Sequence, residues 1–200
     1  MRDFIRCYLE VDEYGVGKPD SSYPVHSLYL DSEDMKLAGG TINGDKNRFK
    51  LRIRFYNDNK DIPAFFEIKR RVNSCILKQR GGVRQNFVEW LLAGHLPEPA
   101  HVASKEAKQF VAVQRFCHLV QELRAKPKVH IAYLREAYVH PTNNSVRVTF
   151  DRAVAASYQP RCMLSTQMHD PVYPFGKEVI LELKFTNRFP DWFRELVRSF

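Results

Sequence analysis

No apolar stretch in this sequence approaches the ~20 residues that a membrane-spanning helix needs, and Met1-Arg2-Asp3 opens without the apolar run of a signal peptide. A soluble, cytoplasmic chain is therefore expected, one that is also compatible with a place at the periphery of a membrane complex. Cys7, Cys75, Cys117 and Cys162 are scattered, with no C-x-x-C pair and no histidine at zinc-ligand spacing, which excludes a readable structural zinc site or redox pair. Buried, reduced thiols are the expectation. The seven histidines show no H-E-x-x-H and no triad-like setting, so most should be surface or satisfied core residues. There is no solenoid repeat, no low-complexity tract and no linker, and 200 residues at 44% hydrophobic supply one good core, so a single domain over 1–200 is expected. Acid is the scarcer charge: 31 Lys and Arg face 23 Asp and Glu, a net +8 that favours anionic partners.

What is present is a set of period-two segments with charge on one side. In 48–56, Phe49, Leu51, Ile53 and Phe55 alternate with Lys50, Arg52, Arg54 and Tyr56. In 64–71, Ala64, Phe66 and Ile68 alternate with Phe65, Glu67, Lys69 and Arg71. Segments 146–154 and 179–185 oppose apolar positions to Arg147, Thr149 and Asp151, and to Glu182 and Lys184. Weaker strand signals run over 24–31, 74–80 and 128–140. An amphipathic helix is expected over 104–125 with Ser104 as its N-cap, a shorter one over Val83 to Leu92, and a last one after Pro190. Asp31 and Asp34 are placed to cap a short helix after the strand at 24–30. Gly39-Gly40 with Lys46 lacks the Gly-Lys-Ser/Thr ending of a phosphate loop, so a turn is expected there. Strands in succession with helices inserted late indicate α+β with a mainly antiparallel sheet.

One charged strand face is ordinary; four need a reason. If the sheet curls into a β-tunnel with helices packed outside, the charged set points inward, and like charges crowd at a cost that an anionic ligand relieves. Arginine grips phosphate oxygens with its planar fork and lysine acts as a point charge. Glutamates among them fit phosphate when a divalent cation lies between carboxylate and phosphate oxygens. The bland alternative is cross-strand salt bridging on a wet sheet face.

The segments YPVHSLYLDSEDMKL, NRFKLRIRFY, FFEIKRRVNSCILKQR, SVRVTFDRAV and ILELKFTNRFPDWFRELV together resemble the polyphosphate polymerase domain of vacuolar transporter chaperone (VTC) proteins, in the CYTH or triphosphate tunnel metalloenzyme superfamily. The resemblance implies a β-tunnel that binds ATP or another triphosphate and inorganic polyphosphate, uses a divalent metal (Mn2+ or Mg2+), and transfers phosphoryl groups to make polyphosphate. Carried over by position, it implies catalytic and phosphate-binding roles for Arg52, Arg54, Lys69, Arg135 and Arg147. It adds phosphate contacts from Lys78 or Arg80, whose register the sequence leaves open, and from Lys184, with Glu182 and Glu67 as metal ligands. The family's first strand, of the type R-x-E-x-K-Y/F, has no counterpart before MRDFIRCYLE, and its basic segment after the F-P-x-W helix has none past Arg198-Ser199-Phe200, so a domain shortened at both ends is expected. That leaves open whether the chain is a polymerase, a metal-dependent triphosphatase or a non-catalytic polyphosphate sensor. Nucleic-acid binding is disfavoured, because apart from Tyr56 and Phe65 the aromatic residues lie mostly on the apolar parity.

Overall fold

The computed structural model describes residues 1–143, 145–186 and 188–198. Ser199 and Phe200, in the expected C-terminal shortening, lie outside the described residues. The chain is α+β with a mainly antiparallel sheet. Its elements are α1 (Arg2–Arg6), β1 (Glu10–Val11), β2 (Ser22–Asp31), α2 (Lys36–Ile42), β3 (Asn47–Phe55), β4 (Ala64–Val72), β5 (Cys75–Val83), α3 (Val88–Leu92), α4 (Ala107–Glu122), β6 (Lys126–Val139), β7 (Val146–Tyr158), β8 (Ile180–Phe185) and α5 (Asp191–Arg198). Strand order is β5-β4-β3-β2-β6-β7-β8, with β1 paired to β6. The ladders β1–β6, β2–β3, β3–β4, β4–β5 and β7–β8 are antiparallel. No helix among the described residues is long and apolar enough to cross a membrane.

Two compact units divide the chain. One holds residues 26–131 and 156–172; the other holds 1–25, 132–155 and 173 onward. In the 26–131 unit the apolar parity of β3 and β4 is buried: Leu51, Ile53, Phe66 and Ile68 pack with Val113, Phe116 and Val120 of α4. The rings of Phe66 and Phe116 lie 4.6 Å apart. Each such side chain contributes about 1.5–3 kcal/mol by leaving water. Gly81 of β5 permits the approach, because a Cβ there would stand 2.4 Å from the Gln109 carbonyl oxygen of α4. In the other unit, Ile5 of α1 and Phe193 and Leu196 of α5 cover Tyr138 and Val148. Arg2 holds α1 to β6 through two 2.8 Å contacts with buried Glu136, which also accepts from the Tyr138 hydroxyl at 2.6 Å.

Local expectations meet the structure unevenly. α4 starts at Ala107, not at 104, and Ser104 instead accepts a hydrogen bond from the Glu106 amide at 3.2 Å. The helix expected from Val83 is shorter: Val83 closes β5, Gln85–Phe87 makes a 3-10 turn, and only Val88–Leu92 is α-helical. Gly39 and Gly40 lie inside α2. Asp31 does cap α2, accepting from the Leu37 and Ala38 amides at 2.9 Å each, while Asp34 accepts from the Ser32 hydroxyl instead. Cys117 is buried and Cys162 half-buried, and burial pushes their thiols up to about 11 and about 12, whereas Cys7 and Cys75 are exposed.

His26 of β2 and His130 of β6 are buried beside Phe55, with Nδ1 of the first 3.1 Å from Nε2 of the second. Burial lowers both, His130 to about 4, with the adjacent His26 adding to the shift. The unfolded chain therefore takes up protons that the fold refuses. Their contribution to stability is complete above the ordinary histidine value of about 6.5 and is lost as pH falls below it, for His130 toward 4. Unfolding free energy is expected to drop by about 1.4 kcal/mol per pH unit for His130 across that window, with His26 acting in the same direction, measured by urea titration at pH 7, 6 and 5. A His130→Asn variant should show a shallower dependence, and an equal slope would count against the neutral pair.

Candidate functional site

In the 26–131 unit, strand register turns the charged parity of four strands into cross-strand rows. One row reads Tyr29, Arg52, Glu67 and Arg80 from β2 to β5, and the next reads Lys50, Lys69 and Lys78. Arg54, Phe65 and Gly82 form the row on one side, and Arg48, Arg71 and Ile76 the row on the far side. Lys78 and Arg80, the two candidates for one phosphate-contact position, share the face, one per row.

Glu67 organises the first row. Its side chain is 0% exposed, yet it stays ionised: burial works against the charge, and Arg52 first, then Arg54 and Lys78, overcome it and hold the carboxyl down to about 2. Arg52 places Nε at 2.7 Å and Nη2 at 2.6 Å from one carboxylate oxygen, and directs Nη1 to the Tyr29 hydroxyl at 3.2 Å. The other oxygen faces Lys78 Nζ at 3.0 Å and Arg80 Nε at 3.4 Å. Burial lowers the Lys78 ammonium despite Glu67. Lys50 and Lys69 are exposed, and neither forms an ion pair among the described residues. A cleft of about 230 Å³ at this end is lined by Lys50, Arg52, Lys69, Arg48 and Arg71.

The second unit carries its own cluster. Arg135 meets Asp151 in a bidentate pair, Nε to Oδ1 at 2.7 Å and Nη2 to Oδ2 at 2.6 Å, and lies 5.1 Å from the centre of the Tyr133 ring. Burial opposes the Arg135 charge, and Asp151 more than restores it, leaving the guanidinium raised. Arg147 Nη2 reaches Asp12 at 2.6 Å and the Tyr23 hydroxyl at 3.3 Å. Register sets Arg147 opposite Lys184 and Thr149 opposite Glu182. Glu182 lies 3.2 Å from Lys184 and 3.8 Å from Arg135 and is 37% exposed. Burial lowers Lys184, and Arg135 and Arg147 add to the effect.

Sequence reasoning missed Asp12, Tyr23 and Tyr29 as partners of the arginines. Tyr29 was findable from the parity of β2. Asp12 was not, because it lies just past a two-residue strand with no readable period.

As a metal ligand Glu67 does not fit. Its oxygens are enclosed by the cations of Arg52, Lys78 and Arg80, and a divalent ion there would meet their charge at close range. Among the described residues no three His, Cys, Asp or Glu side chains group as ligands of one ion. Glu182 differs, being partly open to solvent, and one carboxylate suffices for an ion that keeps its waters and phosphate oxygens as other ligands.

Fourteen chains of solved structures resemble this one, three of them as follows. A Bacillus halodurans protein described as a candidate adenylate cyclase has 14% identity and TM-score 0.48, covering 92% of this chain and 77% of its own. A Pyrococcus horikoshii OT3 protein has 13% identity and TM-score 0.41, covering 99% and 78%. A candidate adenylyl cyclase from Hippeastrum, with a dominant triphosphatase activity, has 13% identity and TM-score 0.41, covering 89% and 72%. No curated protein matches the sequence significantly. The family model of the VTC domain matches residues 1–200, and the chain belongs to the VTC domain family.

Proposed function

We propose that this VTC domain, acting as one functional domain, binds the phosphate oxygens of ATP and inorganic polyphosphate on its charged strand faces and extends polyphosphate by phosphoryl transfer. The observation that carries the reading is the row Lys50, Lys69 and Lys78, three lysines at directly opposed register positions across three strands, of which Lys78 alone has an ion-pair partner among the described residues, Glu67 of the neighbouring row. Like charges in that relation destabilise a sheet. A salt-bridged surface would alternate signs, whereas this row has a use when an anion lies along it. From Arg54 to Arg48 the face runs about 20 Å at the ordinary rise of a strand, room for more phosphates than one nucleotide carries.

The residues divide the work by how they are held. Glu67 and Tyr29 orient Arg52, and Asp151 and Asp12 orient Arg135 and Arg147, so that guanidinium groups are fixed before ligand arrives. Lys50 and Lys69 are the mobile charges, while Lys78 and Lys184 each bring an ammonium group already paired to a glutamate, Glu67 and Glu182. The terminal phosphate of the acceptor is already an ionised nucleophile, so positioning and charge neutralisation are the main demands. Mn2+ or Mg2+ accompanying phosphates held in the unit of Arg135 and Arg147 would neutralise their charge, with Glu182 of that unit as the protein ligand.

One observation favours a second reading, a non-catalytic polyphosphate-binding domain: Glu67, Asp12 and Asp151 are each committed to a cation. ATP conversion measured with Mn2+, with and without a polyphosphate primer, separates the three outcomes. Primer-stimulated polyphosphate formation is the expected result, phosphate release alone marks a triphosphatase, and binding without turnover marks a sensor. Glu182→Gln is expected to lower turnover at least 100-fold while inorganic triphosphate affinity, measured without metal, stays within about threefold. Equal loss of both would remove Glu182 from a metal role.

A further inference from the structure

Phe65 is out of place on the face it occupies. Its companions along β4 on that face are Glu67, Lys69 and Arg71, and directly across from it lie Arg54 on β3 and Gly82 on β5. The ring is half-buried. Tyr56 meets it edge-on, with ring centres 6.1 Å apart and planes at 71°. The guanidinium carbon of Arg80 stands 3.6 Å from its centre, and Arg80 Nη2 lies 3.5 Å from the Tyr56 hydroxyl. A Cβ on Gly82 would make only ordinary contacts, 3.4 Å to Phe65 Cε1, 3.5 Å to Ala103 and 3.6 Å to Pro63. The backbone therefore does not demand glycine there; what glycine does is keep a side chain from covering that edge of the ring.

A ligand made only of phosphate has no use for this arrangement. A planar heteroaromatic base does: it stacks on aromatic rings and guanidinium planes, and the Tyr56 hydroxyl offers a hydrogen bond at its rim. The row of Phe65 lies two residues, about 7 Å, from the row of Arg52 and Glu67, a separation that ribose and the first phosphate bridge. We propose that Phe65, Tyr56 and Arg80 form a nucleobase-stacking subsite, which orients a nucleoside triphosphate with its base at Phe65 and its phosphates directed along β3 from Arg54 toward Lys50. The proposal rests on the phosphate-binding reading of the same face and adds a direction to it. Donor nucleotide and inorganic chain would then overlap in the lysine row but not at Phe65.

The test compares ATP with inorganic triphosphate, using 2-aminopurine riboside triphosphate as a fluorescent probe of stacking. The unmodified protein should quench the probe. Phe65→Leu, which keeps apolar bulk, should weaken ATP about tenfold and abolish quenching while inorganic triphosphate changes less than twofold, and Phe65→Tyr should restore both. Equal weakening of both ligands would show that Phe65 only supports Arg80 and would overturn the subsite, as would an unquenched probe on the unmodified protein. If ATP binds with quenching but inorganic triphosphate does not bind, the subsite stands and the phosphate reading fails. If neither binds, both fall. Thermal unfolding of each variant confirms that the comparison is made on folded protein.

Discussion

Replacing Glu67 with alanine is expected to destabilise the protein by about 3–5 kcal/mol, the cost of removing one partner from a buried ion pair. The carboxylate is fully enclosed and faces Arg52, Lys78 and Arg80 within 3.4 Å, so its loss leaves three cations repelling one another around an empty centre. Chemical denaturation at pH 7 measures the effect. Inorganic triphosphate, supplying the missing negative charge, should recover a larger share of stability in the variant than it adds to the unmodified protein. The pH dependence follows from the same site. Glu67 is held at about 2 in the fold, against about 4.5 when unfolded, so its stabilisation is complete above 4.5 and disappears as pH falls toward 2. A Glu67→Ala variant as stable as the parent would mean that the row does not depend on its carboxylate.

Removing two charges from the neighbouring row should have the opposite profile. The double substitution Lys50→Ala and Lys69→Ala is expected to leave stability unchanged or raise it slightly, since both side chains are exposed and stand opposite like charge in the strand register. The same change should weaken inorganic triphosphate by about 100-fold or more, taking about 1.5–3 kcal/mol for each charge-assisted hydrogen bond. Calorimetric titration at two salt concentrations measures it, and the variant should also show the smaller salt dependence. Unaltered affinity would remove the lysine row from the binding face and with it the main support for the proposed function.

The two variants separate what the face does for folding from what it does for ligands, and that division also marks how far the residues could be read beforehand. The faces of β3 and β4 were legible because a strand alternates with period two and leaves little choice once Leu51, Ile53, Phe66 and Ile68 must be buried. The course of α4 was legible from Val113, Phe116 and Val120, although its first turn was not, since Ser104 bonds the Glu106 amide before the helix begins. Glu67 was read as a metal ligand, and its surroundings do not fit that role. Acid and base two residues apart on one strand look the same whether the acid holds a metal or neutralises arginines. The difference is made by residues 15, 11 and 13 positions away, Arg52, Lys78 and Arg80, brought to it by register. Asp12, 135 positions from Arg147, had no local signal at all.

Alternation of apolar and charged residues, read along the chain alone, determined which side chains share a face, that the fold is α+β with an antiparallel sheet, and that its wet face is basic. Which of those side chains are neighbours was decided only when the strands paired, because register sets cross-strand distances, and electrostatic energy depends on those distances and on burial rather than on spacing along the chain. Thus Lys50, Lys69 and Lys78 became one row of like charge, and Glu67 became the enclosed anion beside it.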